Sequence, residues 1–110
     1  MQSIIDATLA FRDARDRKQF HNPKDIATAI AIEAAELQEH FLRKSQKDSY
    51  TLAQTPEAKE EFADIMIYMI QYADVAGIDI EKEVLAKLEK TKIKYPIEKA
   101  KGRNNKYTDL

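Results

Sequence analysis

Apolar residues recur along this chain at helical spacing, and each run is bounded by capping signals. Ser3 with Asp6 forms a capping-box pattern that predicts a first helix through about Arg17. Asn22-Pro23 reads as an N-cap followed by a proline in the first helical position. Ile26, Ile30, Ala34, Leu37 and Phe41 then make one stripe of a second helix reaching about Lys44. Residues 45–55, rich in Ser, Thr, Gln and Lys, read as a polar loop. Thr55-Pro56 repeats the start signal and opens a third helix that closes at Gly77, a residue suited to the left-handed conformation past a helix end. Asp79 caps a fourth helix, which stops before Tyr95-Pro96 because a residue preceding proline disfavours the helical region. Residues 97–110 form a basic, largely irregular tail of the same domain. No segment alternates with the period of a strand, so an all-α four-helix bundle over residues 1–96 is expected.

The third helix is apolar around most of its circumference. Phe62, Ile65, Met66, Met69, Ala73 and Ala76 make the expected core stripe, while Ile67 and Ile70 fall on other sides. Such a helix is covered from more than one direction. In a chain of 110 residues a second copy is the simplest cover. A homodimer or dimer of dimers, with Ile67 and Ile70 on the outer face, is therefore expected.

Acidic couplets interrupt the two central stripes. They are Glu33-Ala34-Ala35-Glu36 and Glu61-Phe62-Ala63-Asp64, and the i, i+3 spacing puts both carboxylates of a couplet on one helix face. None of the four has a lysine or arginine three or four positions away. A carboxylate beside apolar surface is costly unless paired or metal-bound. If the two flanks face each other, four carboxylates converge and call for a divalent cation. All-oxygen donors favour Mg²⁺, with Mn²⁺ also suited, over zinc or copper. Helical di-iron sites use Glu-x-x-His, whereas this chain offers Glu36-x-x-x-His40 and a second histidine, His21, in a turn. A di-iron centre is not expected.

Charge narrows the partners. The net charge of −1 argues against general affinity for nucleic acid or a membrane surface. The absence of cysteine excludes disulfides, zinc–thiolate sites and thiol nucleophiles. No apolar run approaches the roughly 18 residues of a membrane span. The first residues lack a signal peptide's apolar core, so a cytoplasmic protein is expected. Basic residues collect late, where Lys87, Lys90, Lys92, Lys94, Lys99, Lys101, Arg103 and Lys106 stand against Glu89 and Glu98. A segment of that charge suits a polyphosphate.

Phe11-Arg12-Asp13, Gln19-Phe20-His21-Asn22-Pro23-Lys24, Ile32-Glu33-Ala34-Ala35-Glu36-Leu37, Glu60-Glu61-Phe62-Ala63-Asp64-Ile65 and the ending Lys106-Tyr107-Thr108 belong to one pattern. The chain resembles the MazG-like all-α nucleoside triphosphate pyrophosphohydrolases, in particular the branch that includes dCTP pyrophosphatases. The resemblance implies Mg²⁺-dependent conversion of a (deoxy)nucleoside triphosphate to monophosphate and pyrophosphate by a helical dimer or dimer of dimers. On that basis Glu33, Glu36, Glu61 and Asp64 are expected to hold metal, and one of them or Glu60 to take the attacking water's proton. Tyr68, Lys94, Lys106 and His21 are the candidate substrate contacts, with the alternative for His21 that it fixes the turn before the second helix rather than touching substrate. Departures concern the base pocket: the dCTP-preferring branch carries tryptophan at Arg17 and Arg43, histidine at Thr8 and asparagine at Thr91, and only Tyr68 of that set is retained. Two alternatives stand beside this reading, a phosphoribosyl-ATP pyrophosphohydrolase and a non-catalytic nucleotide-binding or dimerisation module.

Overall fold

The computed structural model describes residues 1–106 and 108, and among these every regular element is a helix. They are α1 (Gln2–Ala14), a 3₁₀ turn (Lys18–Phe20), α2 (Pro23–Glu39), α3 (Gln46–Leu52), α4 (Pro56–Ala76), α5 (Ile80–Lys94) and α6 (Ile97–Ala100). The chain forms two compact units, Met1–Gly77 carrying α1 to α4 and Ile78–Leu110 carrying α5 and α6. No described helix is long and apolar enough to cross a membrane.

Three of the four predicted starts are real caps. The Asn22 side chain accepts from the Asp25 amide at 2.9 Å, Thr55 from Ala58 at 3.3 Å and Asp79 from Lys82 at 3.0 Å. Each satisfies one of the amides that a helix start leaves without a partner. Gly77 ends α4 at φ +68°, in the left-handed region. The first start differs: Met1 occupies the N-cap without a side-chain bond and Ser3 lies inside α1, so the capping box does not form. α1 also stops at Ala14 rather than Arg17, because Asp16 turns to φ +51°.

Three further boundaries move for local reasons. α2 ends at Glu39, not near Lys44, because the amides of His40, Phe41 and Leu42 turn to carbonyls three residues back and Arg43 adopts φ +61°. The predicted polar loop contains α3, started by a Ser45 side chain that accepts from the Asp48 amide at 3.0 Å. The basic tail includes one helical turn, α6, begun at Pro96.

Within the first unit α2 packs along α4, and α1 packs on α4 as well. Among the described residues the buried apolar side chains are Ile26 on α2 and Ala58, Ile70 and Ala73 on α4. Ile70 is 2% exposed, so it belongs to the core and not to an outer face. Phe62 and Met69, expected inside, are 62% and 44% exposed, although Ala58 and Ala73 on the same side of α4 are covered. The middle of that stripe is left open, and Ile67 is exposed as expected.

Candidate functional site

Because α2 and α4 lie together, their acidic couplets meet. One carboxylate oxygen each from Glu33, Glu61 and Asp64 lies within 4.8 Å of the others. Glu33 Oε2 and Glu61 Oε2 are buried without a hydrogen-bond partner. Glu36 stands outside this triad but adjoins it, acting on Glu33 by hydrogen bond and by charge. The Glu33 carboxyl is pushed from 4.5 up to about 7, first by its hydrogen bond with Glu61, then by burial, then by Glu36 and the Asp64 charge. Like charges this close cannot all be ionised together unless a cation joins them. Oxygen-only donors, two of them without partners, fit a hard divalent ion. Within Met1–Gly77 no lysine or arginine pairs with any of the four.

A pH dependence follows, and its sign is fixed by the direction of the shift. A carboxyl whose folded pKa lies above its unfolded value stabilises the fold below about pH 4.5, and that contribution is lost as pH rises through about 7. The melting temperature of metal-free protein is expected to fall between pH 5 and 8 through this group. The increment from added Mg²⁺ or Mn²⁺ should grow over the same window, since the ion needs the deprotonated form. Thermal melts in chelator and in metal at each pH check this; an increment that shrinks with rising pH would contradict it.

A cavity of about 380 Å³ adjoins the acids, with Glu33 and Asp64 in its wall. Along α4 its wall continues through Ile67, Tyr68 and Gln71. Offsets of three, four and seven residues from Asp64 keep these on one helix face. Phe11 and Arg12 of α1, Arg17 and His21 complete the lining.

Two of these side chains are held in unusual ways. Arg12 is 3% exposed, and its guanidinium donates from Nη1 to Asp74 at 2.6 Å and from Nε to Asp13 at 3.0 Å. Burial opposes its charge, but the bonds to Asp74 and Asp13 outweigh that and raise its pKa. His21 is driven the other way, its pKa lowered by burial and then by the charges of Arg12 and Arg17, against a weaker pull from Asp74. Both causes favour the neutral imidazole, and its Nδ1 is buried without a partner.

The structure therefore brings Glu33, Glu61 and Asp64 together, sets Glu36 beside them, and places Tyr68 and His21 on the adjoining cavity. Lys94 and Lys106 belong to the second unit, where Lys94 closes α5 and Lys106 is exposed beyond α6. Of the departures from the dCTP-preferring pattern, Arg17 is on the cavity wall and Arg43 is exposed. Thr91 donates to its own helix at the Lys87 carbonyl, 2.9 Å away. Tyr107 of the C-terminal motif lies outside the described residues. Arg12 stands in the Phe11-Arg12-Asp13 segment of the family pattern without a role attached to it, and Gln71 stands in none of the motifs. For Gln71 the available signal is its place seven residues after Asp64 in an otherwise apolar stretch.

A family model described as the MazG-like family matches residues 28–110. The chain is 33% identical to dCTP pyrophosphatase 1 of Rattus norvegicus and 34% identical to that of Bos taurus, each over 104 residues and 91% of this chain. It spans only 61% and 62% of the length of those two relatives. Among solved structures, a pyrophosphatase from Archaeoglobus fulgidus matches with a TM-score of 0.80 and 37% identity, covering 87% of this chain and 92% of that one.

Proposed function

The chain belongs to the MazG-like family, and from that premise we propose that it is a Mg²⁺-dependent pyrophosphohydrolase that converts a (deoxy)nucleoside triphosphate to the monophosphate and pyrophosphate. The observation that carries this is the triad of Glu33, Glu61 and Asp64, with two unpartnered buried oxygens, opening onto a cavity within the ordinary range of small-molecule sites. The names of the mammalian relatives and of the archaeal structure support the same chemistry.

Glu33, Glu61 and Asp64, with Glu36 behind Glu33, would hold the ion. When bound, Mg²⁺ supplies charge neutralisation at the phosphates and lowers the pKa of a water. The water oxygen bonds to a phosphorus while one of the four carboxylates or Glu60 takes its proton, the bond between that same phosphorus and the α,β-bridging oxygen breaks, and monophosphate and pyrophosphate separate. Glu33 serves this only after losing its proton. Tyr68, one turn beyond Asp64, faces the sugar or base, and Arg17 offers a cation on the cavity wall. His21, favoured in its neutral form, offers a hydrogen bond rather than a counter-charge. Lys94 and Lys106 are the proposed phosphate contacts of the second unit. The setting we infer is the cytoplasm, where such an enzyme clears unwanted nucleotides from the pool.

The test is a panel of ribo- and deoxynucleoside triphosphates, with phosphoribosyl-ATP, incubated with Mg²⁺ and followed by pyrophosphate release and chromatography. Monophosphate and pyrophosphate in equal amounts are expected. Release of orthophosphate instead, or no turnover of any nucleotide, would overturn the reading.

The same chain is proposed to work as a homodimer or dimer of dimers. Phe62 and Met69 are exposed two turns apart on α4, and an apolar groove runs beside Phe62 past Leu37, Phe41 and Ala58. Light scattering on a sizing column should give at least twice 12.7 kDa. Phe62→Glu with Met69→Glu should return the chain to the monomer. Ile70 is unsuitable for this purpose, because a charge there would enter the core. Wild-type protein that elutes as a monomer at micromolar concentration would refute the assembly and leave the metal site standing.

A further inference from the structure

Gln71 is 8% exposed, lies on α4 within the cavity wall, and keeps its Oε1 buried with no hydrogen-bond partner. A buried acceptor left unsatisfied costs stability, and native proteins seldom keep one without a use. His21 Nδ1, on the same cavity, is unpartnered too. The two atoms make the part of the cavity beyond the acids a place where hydrogen bonds are owed.

Position says what would settle them. Seven residues separate Asp64 from Gln71, so the carboxamide stands about 10 Å along the helix axis from the acids and on nearly the same face. Tyr68 lies between them. A nucleotide with its phosphates at Glu33, Glu61 and Asp64 and its length along α4 would pass Tyr68 and bring its base to Gln71. A carboxamide presents one acceptor and a donor side by side, and so does the edge of every natural base. Because no protein group pins the Gln71 oxygen, half a turn about its last bond exchanges donor for acceptor.

We propose that Gln71 is a specificity-determining residue that reads the hydrogen-bonding edge of the base, requiring such an edge but accepting amino and keto bases alike by turning its amide. This rests on the nucleotide reading given above. Glu33 and Asp64 would then select the phosphates, and Gln71 would reject molecules that bring a triphosphate without a polar base.

The experiment measures equilibrium binding, in Mg²⁺, of uncleavable α,β-methylene triphosphates of deoxycytidine and deoxyuridine. A third ligand carries difluorotoluene, an apolar ring of pyrimidine shape. Wild-type protein should bind the first two within about 5-fold of each other and about 10-fold or more tighter than the third. Gln71→Met, close in volume but without donor or acceptor, should bring all three to the level of the apolar ligand. Gln71→Glu, whose ionised carboxylate only accepts, meets one donor and one acceptor on either base and should weaken both polar ligands while keeping them within about 5-fold of each other. Equal wild-type binding of the polar and apolar rings would overturn the proposal, and that arm needs no variant to fold. So would a folded Gln71→Met that keeps the gap, or failure of wild-type protein to bind any of the three. If the polar ligands bind selectively and their cleavable parents are not hydrolysed, the hydrolase reading fails and base reading by Gln71 stands.

Discussion

Replacing Asp64 with asparagine should lower pyrophosphate release by on the order of 100-fold or more at fixed Mg²⁺, with the protein still folded. Asparagine keeps the volume and one carbonyl oxygen but removes the charge that a hard cation needs. Loss of a ligand commonly weakens a metal site by at least as much as loss of a supporting contact, itself worth about 10- to 100-fold. Asp64 is the exposed member of the triad, so its replacement leaves no new buried polar group, and the melt of metal-free protein should barely move. It should even rise slightly, since one like charge beside Glu33 disappears. Glu61→Gln shares the expected loss of activity but acts on a carboxylate that has a buried oxygen and raises the Glu33 pKa, so its effect on stability differs. Raising Mg²⁺ should recover part of the Asp64→Asn rate if the defect is in binding the ion. Activity of Asp64→Asn within a few-fold of wild type would remove the carboxylate cluster from the mechanism.

How far the sequence carries toward such a site depends on which forces set each feature. Caps are local: Asn22, Thr55 and Asp79 bond amides three residues away, so three helix starts are legible from short patterns. Ser45 obeys the same rule, and α3 escapes notice only because its residues are polar and its helix is seven long. The couplets are legible for the same reason, since spacing along one helix needs no tertiary information. Their convergence is a matter of which flanks face, and only the packing of α2 on α4 decides it. Burial around α4 is least legible. A helix apolar on most sides does not announce which side is covered, so Ile70 and the Phe62–Met69 stripe exchange their expected places. Arg12 is opaque for a related reason, because its partner Asp74 lies 62 residues away.

That long-range pair predicts the largest loss of stability. Arg12→Ala removes a guanidinium that is 3% exposed and ties α1 to α4 through Asp74. Asp74 is 29% exposed and would be left with a charge and no counter-ion, while the space of the arginine becomes a void. Breaking one side of a buried pair costs about 3 kcal/mol or more. A domain of this size holds roughly 5–15 kcal/mol in total, so the melting temperature should fall by more than about 10 °C. Arg12→Lys should recover only part, because an ammonium cannot fork between Asp74 and Asp13. Asp13→Asn should cost little by comparison, since that carboxylate is 59% exposed and largely screened. The same substitution has a second readout inside the cavity. Arg12 is a charge that lowers the His21 pKa and Asp74 one that raises it, so Arg12→Ala should move the imidazole toward easier protonation. A histidine titration followed by NMR, on the fraction that remains folded at low temperature, registers the shift. A variant that melts within two or three degrees of wild type would show that α1 is held to α4 by something other than this pair.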